Sequence, residues 1–187
     1  MEDTPPRILG SRTMFQGRIF EAVVERIQMP GRDRPFEAEV VRHARSVGIA
    51  AMPTDDSVIL VRQYRHAVNG WMWELPAGSV DEGEDVARAA GRECQEELGL
   101  IGVAIERLGE LVPLPGYCTE QMTFFRIGGL REPRPGDPEA HQDEDEDIES
   151  REFTLADVRR MLQSGEIRDM KTAAVLVLLE GRRIWPN

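Results

Sequence analysis

Cysteine is scarce in this chain, and long apolar runs are missing. Two cysteines among 187 residues, Cys94 and Cys118, are too few and too far apart for a zinc site. No apolar run approaches the roughly 18 residues that span a bilayer. The N-terminus also lacks the basic and then apolar layout of a secretory signal. These absences predict a cytoplasmic protein with reduced thiols and no membrane partner.

Positive charge is in deficit. Lysine and arginine total 23 against 34 aspartates and glutamates, which gives a net charge of −11. Such a chain would repel a phosphate backbone, so nucleic acid is not expected as a partner. A small anionic substrate is still compatible with this charge, because bound metal ions invert the local field.

An acidic helix is the most informative feature of the sequence. Residues 85–98 follow a glycine-rich turn. Their pattern predicts a helix with an apolar stripe at Val86, Ala90, Cys94 and Leu98. The carboxylates of Glu93, Glu96 and Glu97 then fall on one face, where like charges cost about 0.2–0.5 kcal/mol per pair. Clustered oxygen ligands suit Mg²⁺ or Mn²⁺. A solvated acidic face with no metal is the alternative interpretation of these three residues alone.

The spacing around this helix resembles the signature of the Nudix hydrolases. Gly78 is followed by five residues and Glu84, then by seven residues and the run Arg92-Glu93-Cys94-Gln95-Glu96-Glu97-Leu98-Gly99-Leu100. Every fixed position of Gx5Ex7REUxEExGU is matched, where U is apolar. Cys94 is an uncommon choice for U, but it behaves as a small hydrophobic residue.

The resemblance implies an enzyme that hydrolyses a nucleoside diphosphate linked to another moiety, with a divalent metal held by this helix. Glu93 and Glu97 would be the principal ligands, Glu96 a further ligand with a catalytic part, and the backbone carbonyl of Ala77 another. Within the motif Gly78, Glu84 and Arg92 would be structural, with Arg92 paired to Glu84.

Two further stretches resemble the Nudix enzymes that act on ADP-ribose. The first runs from Val61-Arg62-Gln63-Tyr64-Arg65 to Trp73-Glu74-Leu75-Pro76-Ala77-Gly78, and the second is Pro115-Gly116-Tyr117-Cys118-Thr119-Glu120. The resemblance implies that Arg65 binds a substrate phosphate, for which a planar guanidinium is well suited. It also implies substrate contacts for Pro115, Gly116 and Glu120. An ordinary surface role for Arg65, and a turn role for Glu120, are the alternatives.

The acidic run of residues 142–149 would ordinarily be a solvated loop. In ADP-ribose-type Nudix enzymes a similar acidic loop is mobile and closes over the metals. The resemblance therefore implies that Glu144 is the general base, with Glu146 as the close alternative.

The expected fold is α/β, a Nudix α/β/α sandwich with a mixed central sheet and an N-terminal β extension. Residues 1–42 would form a flexible tail and a β-hairpin that packs across a homodimer, and residues 43–187 the Nudix domain. Phe20 and Phe36 are expected in the core, with base stacking as the alternative. Two packing helices close the chain, one capped by Thr154 and ended by Gly165, the other from Lys171 to a stop at Gly181.

The expected reaction is Mg²⁺-dependent (or Mn²⁺-dependent) hydrolysis of ADP-ribose to AMP and ribose 5-phosphate. One alternative keeps the chemistry and changes the substrate to another nucleoside diphosphate sugar, such as GDP-mannose. The other alternative is a module that binds ADP-ribose without cleaving it.

Overall fold

The computed structural model describes residues 4–139 and 148–184. The chain divides into two compact units. The first comprises Met1–Arg45 and Val112–Gln121, and the second comprises Ser46–Leu111 and Met122–Asn187. Within the described ranges, no helix has the length and hydropathy needed to cross a membrane.

The first unit contains a three-stranded antiparallel sheet in the order β1–β2–β3. Its strands are β1 (Arg7–Gln16), β2 (Phe20–Gln28) and β3 (Phe36–His43). The β2–β3 pair is the hairpin that the sequence predicted, but β1 begins inside the stretch expected to be a flexible tail. The prediction that Phe20 and Phe36 are core residues was wrong, because their exposed fractions are 40% and 42%.

The second unit is built on a seven-stranded mixed sheet. Its strands are β4 (Ser46–Thr54), β5 (Ser57–Arg65), β6 (Gly70–Glu74), β7 (Ala77–Ser79), β8 (Ala104–Leu111), β9 (Met122–Gly128) and β10 (Glu149–Thr154). The main path runs β10–β5–β4–β9–β8, while β6 pairs with β5 and β7 pairs with β4. Strands β4 and β9 are parallel, and the other pairs are antiparallel.

Three α-helices among the described residues complete the second unit: α1 (Val86–Leu98), α2 (Leu155–Ser164) and α3 (Met170–Ile184). Asp85 caps α1 by accepting hydrogen bonds from the N–H groups of Ala87 and Arg88, and Gly99 ends it in the left-handed conformation at φ 68°. The bounds of α1 and α2 confirm the prediction. Helix α3 differs, because it continues through Gly181 instead of stopping there.

The core lies on both faces of the sheet, as the alternation along β4 shows. Val47, Ile49 and Ala51 join a cluster with Ala89, Ala90 and Cys94 of α1. Ala50 and Met52 join the cluster that contains Val158 of α2 and Val175 of α3. Successive strand residues point to opposite faces, so α1 covers one face of the sheet and α2 and α3 cover the other. The predicted α/β/α sandwich is confirmed.

Candidate metal centre and active site

Helix α1 presents the three motif carboxylates close to the start of β7. Glu93 is buried, and Glu96 and Glu97 are half-buried. They lie at i, i+3 and i+4, one turn apart, so one helix face carries all three. Ala90 and Cys94 of the same helix point into the core, where burial raises the pKa of the Cys94 thiol to about 12. The helix therefore has a packed apolar face and an acidic face.

The guanidinium of Arg92 binds three carboxylates, those of Glu84, Glu93 and Glu96. Its Nη1 donates to Glu93 Oε1 at 2.8 Å and to Glu96 Oε2 at 2.7 Å. Its Nε and Nη2 donate to the two oxygens of Glu84 at 3.1 and 3.0 Å, and Nη2 also donates to the carbonyl of Ser79 at 2.9 Å. The bonds to Glu84 are the first cause of a raised pKa for Arg92 and of a lowered pKa for Glu84. The geometry thus contains the Arg92–Glu84 pair that the sequence predicted.

Gly78 provides the space for Glu93. A Cβ on Gly78 would overlap the carboxylate of Glu93. The side chain of Glu93 therefore lies directly against the backbone of β7, and any residue other than glycine at position 78 would displace it.

Glu97 links the helix to the same strand. Its Oε1 accepts a hydrogen bond from the N–H of Ala77 at 3.4 Å, and its Oε2 is buried. The carbonyl oxygen proposed as a metal ligand belongs to the same Ala77. The motif helix and β7 are consequently joined at the residues that are proposed to share a metal.

The donor set fits a hard divalent ion. Three carboxylates and a backbone carbonyl are all-oxygen ligands, which Mg²⁺ and Mn²⁺ prefer. Within residues 4–139 and 148–184, however, no three acidic, histidine or cysteine side chains are already arranged closely enough to hold an ion. Arg92 holds one oxygen each of Glu93 and Glu96. A carboxylate has about four acceptor sites, so each of these groups has the capacity to contact Arg92 and a cation together.

Arg65 binds a carboxylate in this structure. Its Nε and Nη2 donate to Oε1 and Oε2 of Glu74 at 3.0 and 2.9 Å, in a bidentate arrangement. Glu74 has an exposed fraction of only 2%. The sequence analysis did not predict these ion pairs of Glu74. Phosphate binding by Arg65 stays a prediction.

The remaining predicted site residues are not part of the motif helix or of β7. Pro115, Gly116 and Glu120 belong to the first unit, where residues 112–121 bond to β3. Val41 N–H donates to the carbonyl of Tyr117 at 2.7 Å, and Thr119 N–H donates to the carbonyl of Val41 at 2.9 Å. The two candidate bases, Glu144 and Glu146, lie outside the described residues.

Sequence reasoning missed the polar residues at the start of α3. Lys171 Nζ donates to Glu74 Oε2 at 2.9 Å, and Thr172 Oγ1 accepts from the N–H of Leu75 at 3.0 Å. The available signal was Asp169 three residues before Thr172, a pattern typical of a helix N-cap. That signal predicts a cap at Asp169. It does not predict the bond between Thr172 and Leu75, which are 97 residues apart in the sequence.

This chain is similar to known proteins over most of its length. A model of the NUDIX domain matches residues 42–174. The ADP-ribose pyrophosphatase of Mycobacterium tuberculosis (strain ATCC 25618 / H37Rv) is 36% identical over 160 residues, covering 85% of this chain and 75% of its own. The ADP-ribose pyrophosphatase of Bacillus subtilis (strain 168) is 27% identical over 183 residues, covering 96% and 95%.

The fold is also shared with a solved structure. The crystal structure of an ADP compounds hydrolase matches with a TM-score of 0.80 at 24% identity, covering 95% of this chain and 93% of that one. The domain match spans well over half of the chain and includes the complete motif from Gly78 to Leu100. This chain belongs to the NUDIX family and is a Nudix hydrolase.

Proposed function

We propose that this enzyme hydrolyses the pyrophosphate bond of ADP-ribose to AMP and ribose 5-phosphate with Mg²⁺ or Mn²⁺. The observation that carries the proposal is the set of three carboxylates on one face of α1, two of which Arg92 holds through Nη1. The substrate is inferred from the two similar ADP-ribose pyrophosphatases. The stretches around Arg65 and Pro115 support the same substrate.

Four groups would hold the metal: the carboxylates of Glu93, Glu96 and Glu97 and the carbonyl of Ala77. When bound, the metal supplies charge neutralisation at the diphosphate and lowers the pKa of water at the site. Arg92 fixes two of these carboxylates, and Gly78 leaves room for Glu93. These residues would therefore orient the ligands before substrate arrives.

Water would attack one phosphorus of the diphosphate, and the bridging P–O bond would break. We assign the acceptance of the water's proton to Glu144, with Glu146 as the alternative. A general base of this kind contributes about 10²–10⁴-fold in rate when it lies within hydrogen-bond reach of the water. Arg65 would hold a phosphate, because a planar guanidinium matches phosphate oxygens in a bidentate way.

We also propose that the enzyme acts as a cytoplasmic homodimer formed through the first unit. Strand β1 is exposed along its whole length, and large apolar side chains occur on it. The exposed fractions of Ile8, Met14 and Phe15 are 58%, 56% and 55%. Exposed apolar surface of this kind is typical of an interaction site.

The substrate is tested by product analysis with purified protein and Mg²⁺. The panel comprises ADP-ribose, GDP-mannose, UDP-glucose, NADH and diadenosine polyphosphates. The proposal expects AMP and ribose 5-phosphate chiefly from ADP-ribose. Preferential cleavage of GDP-mannose would overturn the substrate and keep the mechanism. Binding of ADP-ribose without cleavage would instead favour the non-catalytic module, although the retention of Glu93, Glu96 and Glu97 weighs against it.

A further inference from the structure

A buried polar cluster joins the start of α3 to the segment that precedes β7. Asp169 caps α3, since its Oδ2 accepts from the N–H of Thr172 at 2.9 Å and from Thr172 Oγ1 at 2.7 Å. Thr172 Oγ1 in turn accepts from the N–H of Leu75 at 3.0 Å. Thr172 has an exposed fraction of 1% and Asp169 of 7%. The hydroxyl therefore donates one hydrogen bond and accepts another, which joins two buried groups.

Lys171 provides a second connection to the same segment. Its Nζ donates to Asp169 Oδ1 at 2.8 Å and to Glu74 Oε2 at 2.9 Å. Glu74 also accepts both bonds from Arg65. The side chain of residue 74 and the backbone N–H of residue 75 are thus both held by the first turn of α3.

The next two residues are held by other elements. The carbonyl of Pro76 accepts from the N–H of Ile49 in β4 at 2.9 Å, and the N–H of Ala77 donates to Glu97 of α1. Three successive residues are therefore fixed by α3, β4 and α1 in turn. A displacement at Leu75 would move Ala77, because only one residue separates them.

We infer that Thr172 and Lys171 are positioning residues of the metal centre, which they serve by holding Leu75–Ala77 in register with α1. This inference rests on the proposed function, in which Ala77 and Glu97 bind the metal. Neither residue contacts substrate in this account. Residues that orient metal ligands without contacting the metal typically contribute to its affinity. Their removal weakens metal binding by about 10–100-fold.

The test measures Mn²⁺ affinity by electron paramagnetic resonance of the free ion, in the absence of substrate. Thr172→Val removes the hydroxyl at nearly constant volume, and Thr172→Ser keeps the hydroxyl. Val175→Ala is the matched control, since Val175 is buried in the core on the same helix and is not part of the cluster. We expect Thr172→Val to weaken Mn²⁺ binding by about 10–100-fold. Thr172→Ser and Val175→Ala should bind as wild type.

A second readout needs no metal. Amide hydrogen exchange of Leu75 and Ala77 in the metal-free protein should accelerate in Thr172→Val and not in Val175→Ala. If Thr172→Val does not fold, Lys171→Met tests the same inference through the other connection, and we expect weaker Mn²⁺ binding there as well.

The outcomes separate the two proposals. Absence of Mn²⁺ binding to wild type would overturn the proposed function and this inference with it. Tight binding to wild type together with unchanged affinity in the folded variant would overturn the inference alone. Equal losses of Mn²⁺ affinity in Thr172→Val and Val175→Ala would also overturn it, because the weaker binding would then reflect a general loss of protein stability.

Discussion

Gly78 is required by a neighbouring side chain and not by a turn. Its position in β7 places its backbone against the carboxylate of Glu93, where a Cβ would overlap. We predict that Gly78→Ala leaves a folded protein whose Mn²⁺ affinity falls by about 10–100-fold, because Glu93 must move. Titration calorimetry with Mn²⁺ measures this.

The matched control is Gly70→Ala in β6 of the same unit. Within the described part of the chain, a Cβ at Gly70 meets one ordinary contact, the carbonyl of Val68 at 3.8 Å. This variant should bind Mn²⁺ as wild type does. Equal affinities for Gly78→Ala and wild type would contradict the role given to Gly78.

The lowered pKa of Glu74 makes the stability of the native state depend on pH. Burial alone would raise its pKa, but the hydrogen bonds from Arg65 and the charge of Lys171 outweigh burial, and the pKa lies below its ordinary value of 4.5. A carboxylate with a lowered native pKa stabilises the native state above the unfolded-state pKa. That contribution is lost as the pH falls through the native pKa.

We predict that Glu74→Gln lowers the free energy of unfolding at pH 7 by about 3 kcal/mol, because Lys171 and Arg65 lose a buried partner. Below pH 4.5 the variant should lose stability less steeply than wild type, since the residue no longer titrates. Urea unfolding at a series of pH values measures both effects. If the plots of unfolding free energy against pH were parallel for wild type and Glu74→Gln, the titration of Glu74 would not contribute to acid unfolding.

At the scale of elements, α3 is longer than its sequence indicates. Glycine at position 181 predicts a stop, yet the helix runs from Met170 to Ile184. Among the residues that the structure describes, a Cβ at Gly181 would meet no atom within 4 Å. We predict that Gly181→Ala stabilises the protein by about 0.5–1 kcal/mol, through the helix propensity of alanine. Thermal unfolding measures the change, and a lower melting temperature would mean that the helix ends at Gly181.

Helix α1 could be predicted closely because its signals are local. Asp85 caps it, Gly99 ends it, and the spacing of Glu84, Arg92 and the three glutamates identifies the motif. Strand β10 could not be predicted in this way. Its residues Glu149–Thr154 are mostly polar, and its pairing with β5 joins Glu149 to Arg62, which is distant in the sequence. Long-range pairing, not local propensity, determines this strand.

The same distinction applies to the site. The motif spacing predicts that Arg92 pairs with Glu84, and the pair is present. The ion pair of Arg65 and Glu74 depends on the register of β5 with β6, and the bond of Lys171 to Glu74 joins residues 97 apart. No local pattern encodes these contacts.

At the scale of the whole molecule, the homodimer is a testable proposal. We predict a mass of twice 21.1 kDa for wild type by light scattering after gel filtration. Ile8→Glu together with Met14→Glu should give monomers, because charges would replace exposed apolar groups of β1. Val103→Glu is the control, since Val103 has an exposed fraction of 70% in the second unit. A wild-type mass of 21.1 kDa would refute the dimer.

We propose that the carboxylates of α1 hold a metal that is required for hydrolysis of ADP-ribose. The most direct measurement compares AMP release from ADP-ribose with Mg²⁺ by wild type, by Glu97→Gln and by Glu152→Gln, an exposed carboxylate in β10. Wild type and Glu152→Gln should form AMP at the same rate. Glu97→Gln should be slower by about 10³-fold or more while folding normally, because several kcal/mol of transition-state stabilisation is lost. Turnover by Glu97→Gln near the wild-type rate would show that Glu97 does not hold a catalytic metal.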